Sequence, residues 1–146
     1  MMIIRFTKED KNAKAPTRGS EAAAGYDLYA DILEAATIMP GETVFISTGI
    51  SVEIPDGYFG AVFARSGLAC KAGLRPANCV GVIDSDYRGE IKVALHNDSE
   101  FVRVVRRDER VAQLVILPYE QVEFEEVYTL NETMRGGGGF GSTGEQ

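Results

Sequence analysis

The sequence is poor in the residues that build disulfide and metal frameworks. It has two cysteines, Cys70 and Cys79, one histidine, His96, and no tryptophan. Two cysteines give no disulfide framework, and a single histidine leaves no His/Cys zinc constellation. No run approaches the roughly 18 apolar residues of a membrane helix, and the mixed, charged N-terminal residues lack the apolar region of a signal peptide. We therefore expect a cytoplasmic protein with no membrane partner.

Positive charge is also scarce, because 15 lysines and arginines stand against 22 acidic residues, for a net charge of −7. Such an acidic chain lacks the electrostatic footprint for binding duplex nucleic acid through its phosphates, so we expect no nucleic-acid partner. A small phosphate ligand needs local arginines or a divalent cation to overcome the overall field. The length of 146 residues, with 45% hydrophobic residues, fits one globular domain.

Helical periodicity is nearly absent, and short runs with the alternation of β-strands follow one another along the chain. The predicted strands cover residues 3–7, 26–30, 43–46, 49–54, 58–64, 80–83, 91–96, 101–105, 111–117 and 122–127. Turn signals such as Pro40-Gly41 and Arg75-Pro76 separate them. This pattern predicts an all-β sandwich or barrel, with one short helix at residues 66–72.

The C-terminal segment differs from the rest, since residues 135–144 read RGGGGFGSTG and hold six of the sixteen glycines. A glycine run of this kind is typical of a flexible tail, because ordering each glycine costs backbone entropy. This run also carries one arginine, one phenylalanine, one serine and one threonine. Those groups suit a phosphate-bearing aromatic ligand, so both interpretations stay open.

Two further segments combine a strand end with polar groups. In GVIDSDYRGE at 81–90 an apolar strand breaks into two acids, an aromatic and a glycine. The segment is either a plain hairpin turn or a site with Asp84 as general base and Tyr87 as a flat wall. ARSGLA at 64–69 is either a serine N-cap beside a surface arginine or a phosphate site made of N–H groups, a hydroxyl and a guanidinium.

Two apolar strands carry an unexpected polar residue. Gln113 interrupts ERVAQL at 109–114 and must find hydrogen-bond partners, which neighbouring backbone could supply. Asp27 in AGYDL at 24–28 alternates with apolar neighbours, and a lone strand aspartate is usually solvated. GxxxxGK[ST] does not occur, and GxGxxG matches only within the C-terminal glycine run at 136–144, which opens no predicted helix, so we expect neither a P-loop nor a Rossmann fold.

In this order, the five segments resemble the five signature motifs of the homotrimeric dUTPase family (deoxyuridine 5′-triphosphate nucleotidohydrolase). The resemblance runs from about residue 12 to residue 144. Two positions depart from the family pattern: Ala64 stands where Pro or Gly is usual, and Asp108 stands where Gly commonly precedes the acid–arginine pair. Both departures bear on loop geometry.

The resemblance implies a jelly-roll-like β-barrel or sandwich domain at residues 1–134. A flexible phosphate-binding tail at 135–146 would close over a neighbouring subunit's site. It implies a homotrimer whose sites lie at subunit boundaries and which hydrolyses dUTP to dUMP and pyrophosphate. The implied cofactor is Mg²⁺, held mainly by the substrate phosphates. Such an activity limits uracil incorporation into DNA and supplies dUMP for thymidylate synthesis.

The same resemblance assigns roles to single residues. Asp84 would activate the attacking water, Gln113 would orient that water and touch phosphate, and Asp27 would meet the metal through a water. Tyr87 would pack under the deoxyribose and leave no room for a 2′-hydroxyl. The other implied substrate contacts are Arg65, Ser66, Gly67, Arg135, Gly141, Ser142 and Thr143 at the phosphates, Asn78, Val82, Ile83 and Phe140 at uracil, and Lys92 through its backbone.

Three other functions remain as alternatives. A dCTP deaminase resembles this family in fold and trimer, but it needs a different acid–base residue at C4 of the pyrimidine and lacks the complete C-terminal phosphate segment. A nucleotide-binding regulatory module without turnover would be favoured by a missing Asp84 or a missing tail, and both are present. A capsid-like jelly-roll protein explains the strands but none of the motifs.

Overall fold

The computed structural model describes residues 2–139, which form short strands and one seven-residue helix. In chain order the elements are β1 (Arg5–Lys8), β2 (Thr17–Arg18), β3 (Tyr26–Tyr29), β4 (Ala36–Ile38), β5 (Thr43–Ser47), β6 (Ile50–Glu53), β7 (Tyr58–Phe63), α1 (Ser66–Ala72), β8 (Leu74–Pro76), β9 (Val80–Ile83), β10 (Lys92–Asn97), β11 (Arg103–Val105) and β12 (Arg110–Pro118).

The strands pair antiparallel in four sheets. The largest has the order β2-β3-β12-β7-β9, a second has the order β5-β10-β8, and β1-β6 and β11-β4 form two-stranded pairs. None of these sheets closes into a barrel within residues 2–139. The protein is mostly β with one short helix, and the predicted jelly-roll-like fold class is confirmed.

The core lies between the sheets and is built from the inward positions of alternating strands. Along β10, for example, Val93, Leu95 and Asn97 are buried while Lys92 is exposed. Asn97 is a polar residue at a core position, and its side-chain nitrogen donates to Ile38 O at 2.9 Å and to Phe101 O at 2.8 Å. Its burial is therefore compensated by hydrogen bonds.

The predicted helix at 66–72 is confirmed, but its start differs from the serine-cap interpretation. Arg65 is the N-cap residue and makes no side-chain capping bond, while Ser66 is already the first helical residue. The helix ends at Gly73, whose φ of 68° is the left-handed conformation that terminates many helices. No helix in the described part of the chain is long and apolar enough to cross a membrane.

The strand predicted at 122–127 is wrong. Residues 119–133 form neither helix nor strand, and their side chains are exposed, with Phe124 at 97% of its full accessible surface. The segment VEFE at 122–125 has the alternation of a strand. A strand also needs a neighbouring edge for its backbone groups, however, and the segment pairs with no strand among residues 2–139.

Candidate active site

The central sheet brings three predicted segments together. Asp27 on β3 pairs with Gln113 on β12, and Gln113 pairs on its other side with Phe63 at the end of β7. The chain leaves β7 at Phe63 and reaches the start of α1 at Ser66, three residues later, so Arg65 lies beside the same two strands. Asp27, Arg65 and Gln113 therefore share one end of the sheet.

Asp27 is the electrostatic centre of this arrangement. Its side chain is 14% exposed, and its two carboxylate oxygens face Arg65 Nε at 2.8 Å and Arg110 Nη1 at 3.3 Å. Two cations offset the cost of removing one carboxylate from water. The Nε of Arg65 donates to Asp27, and the two terminal nitrogens of Arg65 make no hydrogen bond with any described residue. Those nitrogens are available to an anion.

Gln113 has one end of its side-chain amide fixed and one end available. Its Nε2 donates to Ala64 O at 2.9 Å, which is the backbone partner that the sequence indicated. No donor among residues 2–139 reaches its Oε1, which lies against the backbone of Gly25. The amide oxygen can therefore accept a hydrogen bond from a bound molecule.

These residues line a cavity of about 230 Å³, which we call the Asp27 pocket. The residues that bear on its chemistry are Gly25, Asp27, Arg65, Ser66, Gly67, Arg110 and Gln113. Two arginines against one carboxylate give the pocket local positive charge in a chain of net charge −7. That local charge suits a phosphate.

The second group of predicted residues lies at residues 78–92, on the segment that connects β9 to β10. These two strands belong to different sheets and do not pair with each other, so the plain hairpin expected from the sequence is wrong; we keep the name Asp84 hairpin for this bent segment. Asp84 follows the last residue of β9 and is exposed, with no side-chain hydrogen bond or ion pair to any described residue. The turn beyond it is braced by Arg88, whose Nη1 donates to Ser85 O at 2.6 Å and Tyr87 O at 3.1 Å. The carboxylate is thus a free acceptor on a fixed turn.

Tyr87 is held in one orientation by its own hairpin. Its hydroxyl donates to Glu90 O at 2.9 Å. A Cβ on Gly89 would lie 2.5 Å from that hydroxyl and 2.6 Å from Cζ, so the ring lies directly on the glycine. The ring is 44% exposed. It can serve as the flat wall that the sequence predicts.

The other predicted residues of the Asp84 hairpin are also accessible. Asn78 is exposed, Val82 is 61% exposed and Ile83 is half-buried. Lys92 lies at the start of β10, with its Nζ 3.6 Å from Glu90 Oε2. The hairpin therefore offers its edge and its backbone to a ligand.

The Asp84 hairpin and the Asp27 pocket lie at opposite ends of β7. Ile83 pairs with Gly60, whereas Gln113 pairs with Phe63, three residues further along the strand. Asp84 lies one residue beyond Ile83, so four strand positions, about 13 Å, separate it from Gln113 along the strand direction. The structure brings the predicted residues together in two groups but does not unite the two groups within one chain.

The acidic residues of the described chain do not form a metal cage. Residues 2–139 contain no group of three or more His, Cys, Asp or Glu side chains placed to hold one ion. Asp27 already faces two arginines, although each carboxylate oxygen keeps a further lone pair. The donor set fits a metal that arrives on a polyphosphate and contacts the protein through water, which is the role that the family resemblance implies for Asp27.

Most of the predicted tail contacts lie outside the described residues. Arg135 is described, and its Nε donates to Gly138 O at 2.8 Å within a local turn. This hydrogen bond does not connect Arg135 to either group of site residues. Phe140, Gly141, Ser142 and Thr143 lie outside the part of the chain that the structure describes.

Comparison with known proteins gives a consistent set of relatives. The family model described as dUTPase matches residues 11–144. The deoxyuridine 5′-triphosphate nucleotidohydrolase of Desulfitobacterium hafniense is 51% identical over 142 residues, which cover 97% of this chain and 94% of that protein. The enzyme of the same name from Nautilia profundicola is 46% identical over 99% of this chain and its own full length.

Solved structures agree with the sequence relatives. The dUTPase of Staphylococcus bacteriophage 80alpha, determined with dUPNHPP, superimposes with a TM-score of 0.85 at 28% identity and covers 99% of this chain and 100% of that one. The dUTPase of phage phi11 of S. aureus superimposes with a TM-score of 0.79 at 25% identity, over 90% of this chain and 100% of that one.

Proposed function

The chain belongs to the dUTPase family and hydrolyses dUTP to dUMP and pyrophosphate, and from that premise we propose how its own residues perform the reaction. A water activated by Asp84 attacks the α-phosphorus in line with the leaving pyrophosphate. The observation that carries the proposal is the convergence of Asp27, Arg65 and Gln113 in one positively charged pocket.

The Asp27 pocket binds the triphosphate in this proposal. Asp27 holds the guanidinium of Arg65 through Nε, which leaves both terminal nitrogens for phosphate oxygens. The backbone N–H groups of Ser66 and Gly67 belong to the first turn of α1, where they have no partner within the helix. They and the Ser66 hydroxyl add neutral donors beside the guanidinium.

The attacking water lies between Asp84 and Gln113. Asp84 accepts the proton of the water as the oxygen bonds to phosphorus, and the P–O bond to pyrophosphate breaks with its electron pair on the leaving group. Gln113 Oε1 accepts the second water hydrogen and fixes the direction of attack. The exposed, unpaired state of the Asp84 carboxylate supports this role.

Members of this family are typically dependent on a divalent metal, and we propose Mg²⁺ for this chain. When bound, Mg²⁺ neutralises the charge that develops on the phosphates. Oxygen ligands from the substrate hold most of it, which suits a cation that keeps several waters. Asp27 would hold it through water, and Arg65 would share the neutralisation of the phosphate charge.

The Asp84 hairpin selects the nucleoside. Tyr87 packs its fixed ring under the deoxyribose, where a 2′-hydroxyl finds no space. Asn78 and the backbone at Val82 and Ile83 bind the uracil edge, and Lys92 contributes its backbone. Backbone groups that bind the base discriminate against a wrong base, because a mismatched base leaves these buried backbone N–H and C=O groups without hydrogen-bond partners.

The tail completes the site in the proposal. Arg135 adds a cation and Phe140 stacks on uracil, while Gly141, Ser142 and Thr143 meet the phosphates. The domain at 1–134 carries the rest of the machinery. We place the reaction in the cytoplasm, whose reducing conditions suit the two exposed and unpaired thiols of Cys70 and Cys79.

We further propose a homotrimer in which each site combines two or more chains. A base and a water-orienting group must both lie within about 3 Å of the same water, and the register separates Asp84 from Gln113 far beyond that reach. The exposed apolar side chains at 119–134, which include Val122, Phe124 and Leu130, also support assembly, because a monomer would leave them in water.

The test is a product assay with Mg²⁺ and each deoxynucleoside triphosphate, in which pyrophosphate and ammonia are both measured. We expect pyrophosphate from dUTP alone, and its loss when the metal is chelated. Ammonia from dCTP would indicate a dCTP deaminase. Tight dUTP binding with no product would indicate a regulatory module.

A further inference from the structure

The Gln113 side chain occupies the space where residue 25 would carry a side chain. A Cβ built on Gly25 overlaps Gln113 Oε1 and lies 3.1 Å from its Cδ and 3.3 Å from its Cβ. The three atoms nearest to that Cβ all belong to Gln113. The glycine of the segment at 24–28 and the glutamine of the segment at 109–114 are thus in direct contact.

The backbone conformation at residue 25 does not require a glycine. The described glycines with positive φ are Gly41, Gly49, Gly57, Gly73 and Gly136. Gly25 is not among them, so its backbone is one that alanine can adopt. A glycine placed where conformation does not require it points to a steric reason.

From these contacts we infer that Gly25 is a positioning residue that acts through Gln113, a role that rests on the function proposed above for Gln113. Gln113 is confined on two sides, because Nε2 donates to Ala64 O at 2.9 Å while Oε1 lies against the bare backbone of Gly25. Together these contacts select which end of the amide reaches the Asp27 pocket and how deeply it sits.

A methyl group at residue 25 changes the site more than the fold. The atoms it meets first, Oε1 and Cδ, are the far end of a flexible side chain. Gln113 can move away by rotation, so little packing is lost and the melting temperature should hardly change. Its amide oxygen leaves the position that orients the water, and a misplacement on the order of 1 Å can cost up to about a hundredfold in rate.

The experiment is a double-mutant cycle on kcat for dUTP with Gly25→Ala, Gln113→Ala and both together. We expect each single change to lower kcat, and the double variant to be no slower than Gln113→Ala, because Gly25 then has nothing left to position. Ala35→Val is the control. It adds methyl groups at an exposed residue that does not line the Asp27 pocket, and it should keep kcat and melting temperature.

The outcomes separate this inference from the proposed function. If Gln113→Ala lowers kcat while Gly25→Ala does not, or if the two losses multiply in the double variant, the role of Gly25 is overturned and that of Gln113 stands. If Gln113→Ala leaves kcat unchanged, both are overturned. A loss of melting temperature in Gly25→Ala that parallels its loss of kcat would make Gly25 a structural residue and overturn the inference.

Discussion

Asp27 sets the position of both arginines in its pocket, and only one of these was expected to bear on the site. Arg65 carried a sequence signal, because it precedes Ser-Gly at a strand end. Arg110 begins β12 and reads as a surface charge in the sequence. Its place opposite an Asp27 oxygen, at 3.3 Å, follows from the pairing of β3 with β12. Residue type and spacing therefore predicted part of the pocket, and strand register supplied the rest.

Asp84→Asn tests whether the Asp84 carboxylate is the general base that takes the proton of the attacking water. The amide keeps the shape of the carboxylate but cannot take a proton, so kcat should fall at least about a hundredfold while binding of a non-hydrolysable dUTP analogue changes little. Asp86→Asn is the matched control, since Asp86 is an exposed acid in the same turn, and it should keep kcat. Retention of more than half of the parent kcat in Asp84→Asn would remove Asp84 as the base.

Gly89→Ala tests whether the fixed ring of Tyr87 sets the sugar preference. The new Cβ would lie 2.5 Å from the Tyr87 hydroxyl, so the ring must lift off the hairpin. When the Tyr87 ring is displaced, the site should have room for the 2′-hydroxyl of UTP. The ratio of kcat/KM for dUTP to that for UTP should therefore fall. Tyr87→Ala should lower the ratio at least as far, with no further fall when both changes are combined. An unchanged ratio in Tyr87→Ala would remove the ring from the sugar site.

Among the elements, the strands with a clear apolar alternation were predicted and the shortest ones were not. β2, β4 and β8 have two or three residues, too few for a period of two to be recognised. β8 includes Arg75-Pro76, which reads as a turn signal, and that prediction is wrong. Tertiary pairing with β10 overrides the local preference there. The strand predicted at 122–127 is wrong for the opposite reason: the segment has the alternation of a strand, but no strand of the described chain pairs with it.

The N-terminal segment is tied to the β-sheets by an ion-pair cluster around Arg107. Its Nη2 donates to Asp10 Oδ2 at 3.0 Å and to Asp31 Oδ1, so one guanidinium connects three separate loops. The N–H of Asn12, followed by Arg107, holds the pKa of Asp10 below its ordinary value of 3.8. The ionised form of Asp10 is therefore favoured by folding.

Asp10→Asn should make the melting temperature less sensitive to acid. Because the pKa of Asp10 is lowered in the folded state, its stabilisation is present above its ordinary value of 3.8 and is lost as the pH falls through the folded pKa. The melting temperature of the parent should exceed that of the variant at neutral pH, and the gap should close in acid. Asp56→Asn is the control, because Asp56 is exposed. A gap of constant size at every pH would contradict the linkage.

For the whole molecule, the sequence predicts the residues of the site but gives no distance between them. Asp84 and Gln113 are 29 positions apart in the chain, as their numbers give, and the pairing of β7 with β9 and β12 decides that they face opposite ends of the sheet. Only the resemblance to a trimeric family implied sites at subunit boundaries. The strand register now supplies an independent physical reason for them.

Subunit complementation tests the shared site directly. Asp84→Asn and Arg65→Gln should each be nearly inactive alone, since one lacks the base and the other lacks a phosphate-binding guanidinium. Glutamine at 65 keeps a donor for Asp27, which protects the pocket. If the Asp84 hairpin of one chain serves the Asp27 pocket of another, random mixing in a trimer gives about a quarter of the sites both native halves. The two variants, unfolded and refolded together, should then regain about a quarter of the activity of refolded parent protein.

The control mixes two variants from the same half of the site, Arg65→Gln and Gln113→Ala. Both residues line the Asp27 pocket of one chain, so no arrangement of subunits restores a native pocket, and the mixture should show only the mean of its two components. The same mean in the Asp84→Asn and Arg65→Gln mixture, with subunit exchange verified by a size tag, would place the whole site within one chain. Recovery in the first mixture and none in the control follows only if each site draws on two chains, as we propose from the distance along β7.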